Sequence, residues 1–149
     1  MKLEKKIRIL VIDDDDTIRT VFRAALKQEG FEVDLAATGK EAIEKSKAEI
    51  YNLALVDIRL PDTEGTKLLS ELKETVPKMR KIILTGYPDL QNAITSLKRG
   101  ADFYVIKPVA MDTLLEAVRE QLRKQQEEKK YSEEKVAEYI ESRAREESP

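Results

Sequence analysis

The sequence predicts an α/β fold, five βα units around a parallel sheet, and three observations carry that reading. Short apolar runs alternate with stretches of helical period from Ile7 to about Leu122. Glycines stand just past two of the helical stretches, at Gly30 and Gly100. The 149 residues, 41% of them apolar, suffice for a single core that buries roughly two-thirds of the surface an unfolded chain would expose.

The first strand is the buried run Ile7 to Ile12. A helix follows with Ile18, Val21, Phe22, Ala25 and Leu26 on one face and Gly30 as its stop. Phe31, Val33 and Leu35 alternate with Glu32 and Asp34, so the second strand is half exposed and belongs at a sheet edge. A short, weakly periodic helix starts after Gly39. The third strand covers Leu53 to Val56 or slightly more, and its helix uses Leu68, Leu69, Leu72 and Val76. The fourth runs from Lys81 to Leu84, followed by a helix striped with Leu90, Ala93, Ile94 and Leu97 and ended by Gly100. The fifth is Phe103 to Ile106, and the helix after it carries Leu114, Leu115, Val118 and Leu122. With a helix after every strand, all five strands run parallel.

After Val118 the composition changes: 17 of the 31 residues from Arg119 to Pro149 are charged. We therefore divide the chain into a domain, residues 1–124, and a charged helical extension or linker, residues 125–149. Ser132 is placed to cap a last short helix with Val136, Tyr139 and Ile140 on its stripe and Ala144 a turn on. A solvated extension and a partner-docking or coiled-coil segment both fit so short a pattern.

Composition excludes several functions. Lys plus Arg (27) nearly cancels Asp plus Glu (29), so direct nucleic-acid binding is not expected. No apolar run approaches the length of a membrane span or a signal peptide, and there is no cysteine, which together point to a cytoplasmic protein without membrane contact. Histidine is absent too, so any chemistry rests on carboxylates, hydroxyls, lysine and the backbone.

In open parallel sheets ligands gather beyond the carboxyl ends of the strands. There the first strand ends in Asp13, Asp14, Asp15 and Asp16, the third in Asp57, the fourth in Thr85 and Gly86, and the fifth in Lys107 and Pro108. The edge strand ends in Ala36 and Ala37 and contributes nothing polar. Carboxylates within ~4 Å of each other repel by roughly 4 kcal/mol per pair at an effective dielectric of 20, and a hard dication relieves this. Magnesium accepts one or two carboxylates with several waters and bridges to phosphoryl groups. Lys107 adds a positive charge and Thr85 a hydroxyl donor, so the set describes a phosphoryl site. Singly, each residue has a plainer role: the aspartates as charges at a helix N-terminus, Asp57 as a loop cap, Lys107 as a solvated cation. Their joint placement at strand ends favours one site.

As a set, these residues resemble the receiver domain of two-component response regulators over roughly Ile7 to Leu122. The matching features are Ile12-Asp13-Asp14, Asp57 with Pro61 and Gly65 in a D-x-x-x-P-x-x-x-G spacing, Leu84-Thr85-Gly86, Gly100-Ala101 leading to Tyr104, and Lys107-Pro108. The resemblance implies a three-layer flavodoxin-like (βα)5 fold with strand order 2-1-3-4-5. It implies Asp57 as phosphoacceptor, taking a phosphoryl group from a sensor histidine kinase, a phosphotransfer protein or a small phosphodonor. Asp14, Asp57 and the Arg59 carbonyl would hold Mg2+, with Asp13 acting largely through a water. Thr85 and Lys107 would contact phosphoryl oxygens, and the Lys107-Pro108 peptide would be cis. Thr85 and Tyr104 would act as the switch, reshaping the fourth helix, fifth strand and fifth helix, a face also able to form a homodimer. Arg59 and Tyr87, each two residues beyond a site residue, would tune the lifetime of the aspartyl phosphate by obstructing water.

A rival comes from another class. Asp13-x-Asp15-x-Thr17 after an apolar strand looks like the nucleophile motif of haloacid-dehalogenase-like, Mg2+-dependent phosphatases, with Asp13 attacking. That family needs a further acidic pair at a strand end beyond the lysine, whereas the first acidic residues to follow, Asp112 and Glu116, lie in a predicted helix, and Asp57, Pro61 and Gly65 go unexplained. A flavin-binding relative of the same layered fold would need a phosphate loop, and four aspartates stand in its place.

Overall fold

A computed structural model describes residues 6–86 and 89–147. The chain order is β1 (Arg8–Ile12), α1 (Asp16–Gln28), β2 (Glu32–Ala36), α2 (Gly39–Ala48), β3 (Leu53–Asp57), α3 (Gly65–Glu71), β4 (Arg80–Thr85), α4 (Leu90–Lys98), β5 (Phe103–Ile106) and α5 (Met111–Glu147). The five strands form one parallel sheet in the order β2-β1-β3-β4-β5. The fold is thus the three-layer α/β arrangement expected, with β2 at an edge.

Continuous apolar runs put β1, β3 and β4 at the centre, where helices cover both faces. Side-chain alternation then divides the core in two. Leu10, Ile12, Ala54, Val56 and Ile83 face α2 and α3, packing with Ala42, Leu68 and Leu69. Ile9, Val11, Leu53, Leu55, Ile82 and Leu84 face the other way, against Phe22 and Leu26 of α1 and Leu114, Val118 and Leu122 of α5. These clusters fix the strands, and hence their carboxyl ends, in register.

Four details differ from expectation. Val21 of α1 is half exposed, because the buried face centres on Phe22 and Leu26. Val76 takes no part in α3: the helix ends at Glu71, Leu72 turns extended, and Val76 is 97% exposed before Pro77, whose ring disfavours helix in the preceding residue. The stripe of α4 does form a helix, but Leu90 and Leu97 face outward and only Ser96 is buried. Ser132 caps nothing, since α5 runs unbroken from Met111 to Glu147. No glycine, proline or competing cap interrupts that stretch, and its Glu and Lys residues are good helix formers.

Charged sequence also conceals a buried anchor. Gln125 is 1% exposed, and its amide donates to the carbonyls of Asn52 and Lys78 at 2.9 and 2.8 Å. Arg80, at the start of β4, reaches Asp102, Gln121 and Glu128. Polar residues at 121, 125 and 128 share one face of α5 and bind it to the amino end of the sheet. Described residues from Gln126 to Glu146 are exposed.

Candidate functional site

At the opposite, carboxyl end of the sheet the four aspartates after β1 separate into distinct roles. Asp15 is the N-cap of α1, accepting from the Thr17 and Ile18 N–H groups at 2.8 and 3.1 Å. Asp16 opens the helix and pairs with Arg19. Asp13 turns inward, 1% exposed, its Oδ1 accepting from the Asp15 N–H at 2.9 Å. Asp14 is exposed at the rim. Helix capping and site formation are therefore both present, on different residues.

Asp57 closes β3 and is 8% exposed. Carboxylate oxygens of Asp13, Asp14 and Asp57 lie within 4.8 Å of one another. The cis peptide Lys107-Pro108 follows β5, and Lys107 Nζ stands 2.8 Å from Asp13 Oδ2 and 3.6 Å from Asp57 Oδ1. The Lys107 N–H donates to the Thr85 carbonyl at 2.7 Å, which ties the ends of β4 and β5 together. Thr85 itself is fully buried. Burial first, and the neighbouring Asp13 charge second, push the Asp57 carboxyl up to about 6 against the opposing pull of Lys107.

Three carboxylates and one ammonium leave this group two charges negative. At an effective dielectric of 20, a carboxylate pair at 4.8 Å still repels by about 3.5 kcal/mol, so one lysine cannot neutralise the set. A small hard dication with oxygen ligands fits both the charge and the donor type. Asp13, Asp14 and Asp57 are the residues that could hold it, and the Arg59 main chain lies alongside, its N–H 3.4 Å from Asp57 Oδ1.

The geometry also explains the glycine after Asp57. A Cβ on Gly65 would lie 2.2 Å from the Asp57 carbonyl oxygen and 2.8 Å from Ile58 Cα, so only glycine lets α3 begin this close to the strand end. Tyr104 sits on β5 opposite Ile83, its ring against the α2–α3 side of the core and its hydroxyl buried without a hydrogen-bond partner among the described residues. Tyr87 lies outside the described residues.

The sequence profile of the response regulator receiver domain matches residues 9–119. The chain belongs to that family. The receiver domain is 37% identical over 108 residues to the transcriptional regulatory protein ZraR of Escherichia coli K12, a match covering 72% of this chain and 24% of that protein. It is 32% identical over 119 residues to the alginate biosynthesis transcriptional regulatory protein AlgB of Pseudomonas aeruginosa, covering 80% and 26%. The chain thus spans about a quarter of the length of these relatives. Among solved structures, a CheY-like response regulator receiver domain protein from Methanospirillum hungatei superposes with TM-score 0.80 at 46% identity, covering 83% of this chain and 99% of that one. A Burkholderia pseudomallei response regulator with a phosphorylated aspartic acid, calcium ion and citrate superposes with TM-score 0.70 at 29% identity, covering 83% and 72%.

The phosphatase alternative finds no support. The receiver match runs through the whole core, and Asp112 and Glu116 lie in α5 rather than at a strand end. Asp13 is engaged by Lys107 and the Asp15 N–H. The matched segment, residues 9–119, is a receiver domain, a type of signalling phosphoacceptor. No described helix is long and apolar enough to cross a membrane.

Two contributors escaped the sequence reading. Arg19 donates to the Asp13 carbonyl at 2.7 Å while pairing with Asp16, fixing the turn that aims Asp13 inward. Asp62, in the loop after Asp57, accepts from the Gly39 and Lys40 N–H groups of α2. The i,i+3 Asp16–Arg19 spacing was a visible signal for the first. Nothing local signals the second.

Proposed function

We propose that Asp57 is the phosphoacceptor, within a Mg2+ site made by Asp13, Asp14, Asp57 and the Arg59 carbonyl. One observation carries this: three carboxylates share a space of 4.8 Å beside the Lys107 ammonium. A carboxylate oxygen of Asp57 forms the new bond to phosphorus as the bond to the imidazole nitrogen of a partner's phosphohistidine breaks. The nitrogen keeps the electron pair. Magnesium, when bound, neutralises charge on the transferring phosphoryl oxygens. Lys107 adds its charge from the other side, and the Thr85 hydroxyl donates to a phosphoryl oxygen. The Burkholderia relative, with its phosphorylated aspartic acid and calcium ion, supports the same chemistry.

The phosphodonor is a sensor histidine kinase or phosphotransfer protein, since this chain has no histidine of its own. Thr85 and Tyr104 form the switch: an unpartnered buried hydroxyl costs about 1–3 kcal/mol, which suits a ring that exchanges between two positions. To move from 1:99 to 99:1 the phosphoryl group must favour the active state by ~5.5 kcal/mol. The readout face is α4-β5-α5, where Leu90, Leu97, Phe103 and Ile106 are exposed and an open groove of about 890 Å3 runs between β5 and α5, a surface suited to an output partner or a second copy. Residues 1–124 are the receiver domain and 125–149 the helical extension, which starts on the domain through Gln125 and Glu128. The protein works in the cytoplasm. Arg59 and Tyr87 slow hydrolysis, so Arg59→Ala or Tyr87→Ala should accelerate dephosphorylation.

Exposure to acetyl phosphate and Mg2+, followed by intact-mass measurement, tests the central reading. Wild type should gain one acid-labile phosphoryl group and Asp57→Asn none. Labelling that persists in Asp57→Asn would overturn it.

A further inference from the structure

The loop between β3 and α3 carries Arg59 past Asp57, and its position is held by two sets of contacts. Within the loop, Arg59 and Glu64 form an antiparallel bridge, the Leu60 N–H donates to the Thr63 carbonyl at 3.2 Å, and the Gly65 N–H donates to the Ile58 carbonyl at 2.7 Å. These make it a small closed hairpin. They do not fix the hairpin to the rest of the fold. At its base Ile58 and Leu60 pack against the core and the Ile58 N–H donates to the Leu84 carbonyl at 3.1 Å; at its tip the contact comes from Asp62, whose Oδ1 accepts from the Gly39 N–H at 2.8 Å and Oδ2 from the Lys40 N–H at 2.9 Å, 23 and 22 residues away along the chain.

The receiving surface is shaped for this. Thr38 Oγ1 already takes the Glu41 N–H, so the Asp62 carboxylate accepts the two first-turn donors of α2 that its own cap does not reach. Gly39 has no side chain in the way. A Cβ there would meet Thr63 Cγ2 at 2.4 Å, so the Thr63 methyl fills the space that a side chain at position 39 would need. The Lys40 and Gly39 N–H groups hold the Asp62 carboxyl below the usual carboxylate range, keeping the clamp ionised at neutral pH.

We infer that Asp62 is a positioning residue for the phosphoacceptor site: by clamping the hairpin to the start of α2, it sets where the Arg59 main chain stands against Asp57 and the metal. This rests on the reading of Asp57 and its Mg2+ site. The clamp acts through the Arg59 backbone, whose N–H meets Asp57 Oδ1. Its loss would let the hairpin tilt and weaken one oxygen ligand while Asp13, Asp14 and Asp57 remain.

The test follows acetyl-phosphate labelling of the full chain as a function of Mg2+, with thermal unfolding in parallel. Asp62→Ala should raise the Mg2+ half-saturation about 10-fold, the lower end for supporting residues around a metal, while the rate at saturating Mg2+ changes less. Asp62→Asn keeps one acceptor and should fall between. Gly39→Ala should produce the same shift by pushing Thr63 away, although alanine favours helix over glycine. Thr38→Ala removes the cap of α2 but not the clamp, and should lower the unfolding temperature without moving the Mg2+ dependence. If Asp62→Ala is too unstable to assay, Asp62→Asn and Gly39→Ala decide. The inference is overturned if they leave half-saturation unchanged, or if Thr38→Ala moves it equally, which would make Asp62 a helix cap only. Failure of wild type to label, or labelling of Asp57→Asn, would instead refute the site reading.

Discussion

Replacing the proposed phosphoacceptor should make the metal-free protein more stable. The Asp57 carboxyl is pushed up to about 6 by burial and by Asp13, against an ordinary value of 3.8. Because the folded pKa is raised, the folded state favours the protonated acid. Below the unfolded value there is no penalty; it grows as pH rises and is complete above about 6. That difference corresponds to about 3 kcal/mol at neutral pH, an upper limit that relaxation around the site reduces, leaving about 1–3 kcal/mol. The neutral amide of Asp57→Asn would avoid this penalty while keeping an acceptor for the Arg59 N–H, and Lys107 would retain Asp13 at 2.8 Å. At ~2–4 °C per kcal/mol, Asp57→Asn in EDTA near neutral pH should melt roughly 2 to 12 °C above wild type. Near pH 5 the gap should shrink to about half. Excess Mg2+ should close or reverse it, since binding to the native state stabilises wild type by ~2.7 kcal/mol at a hundred times the dissociation constant. Calorimetric melts in EDTA and in Mg2+ at the two pH values read all of this. If Asp57→Asn is no more stable in EDTA, and Mg2+ shifts both proteins equally, the crowding of carboxylates is not the property that matters here.

Other consequences can be checked singly. Gly65→Ala forces a Cβ against the Asp57 carbonyl and should cost ~1–3 kcal/mol in urea unfolding, with weaker Mg2+ binding because the strand end must shift. Lys107→Met removes the cation that lowers the Asp57 pKa, so a carboxyl carbon titration by NMR should place Asp57 above the wild-type value of about 6; an unchanged titration would remove Lys107 from the site's electrostatics. Gln125→Ala takes the donor from the Lys78 carbonyl and one of two donors from the Asn52 carbonyl, which keeps the Arg80 N–H at 3.0 Å, and should cost about 1–3 kcal/mol, whereas Gln126→Ala, one residue on and exposed, should change stability by less than ~0.5 kcal/mol.

The strands were legible because apolar runs bounded by polar residues have few other homes. The site followed, because Asp13, Asp57, Thr85 and Lys107 each occupy the position where a strand leaves the sheet. Periodicity says that a helix has an apolar face, not what covers it, so the outward stripe of α4 and the exposed Val21 could not be read locally. Charge was misleading for the last helix: Gln121 and Gln125 look like surface residues until the Asn52 and Lys78 carbonyls, just before β3 and β4, and the Arg80 guanidinium are placed beside them. Asp62 was invisible for the same reason, its partners being main-chain groups in a different βα unit.

The anchoring of α5 at the foot of the sheet bears on how anything joined to its far end would sense the domain. Beyond Gln125 the helix continues for about 30 Å at 1.5 Å per residue, and each residue also turns the attachment point by roughly 100°. A single inserted residue would thus re-aim an attached body, whereas seven would return it close to its original bearing, about 10 Å further out. Spacing along this shaft behaves as an angular setting as much as a length.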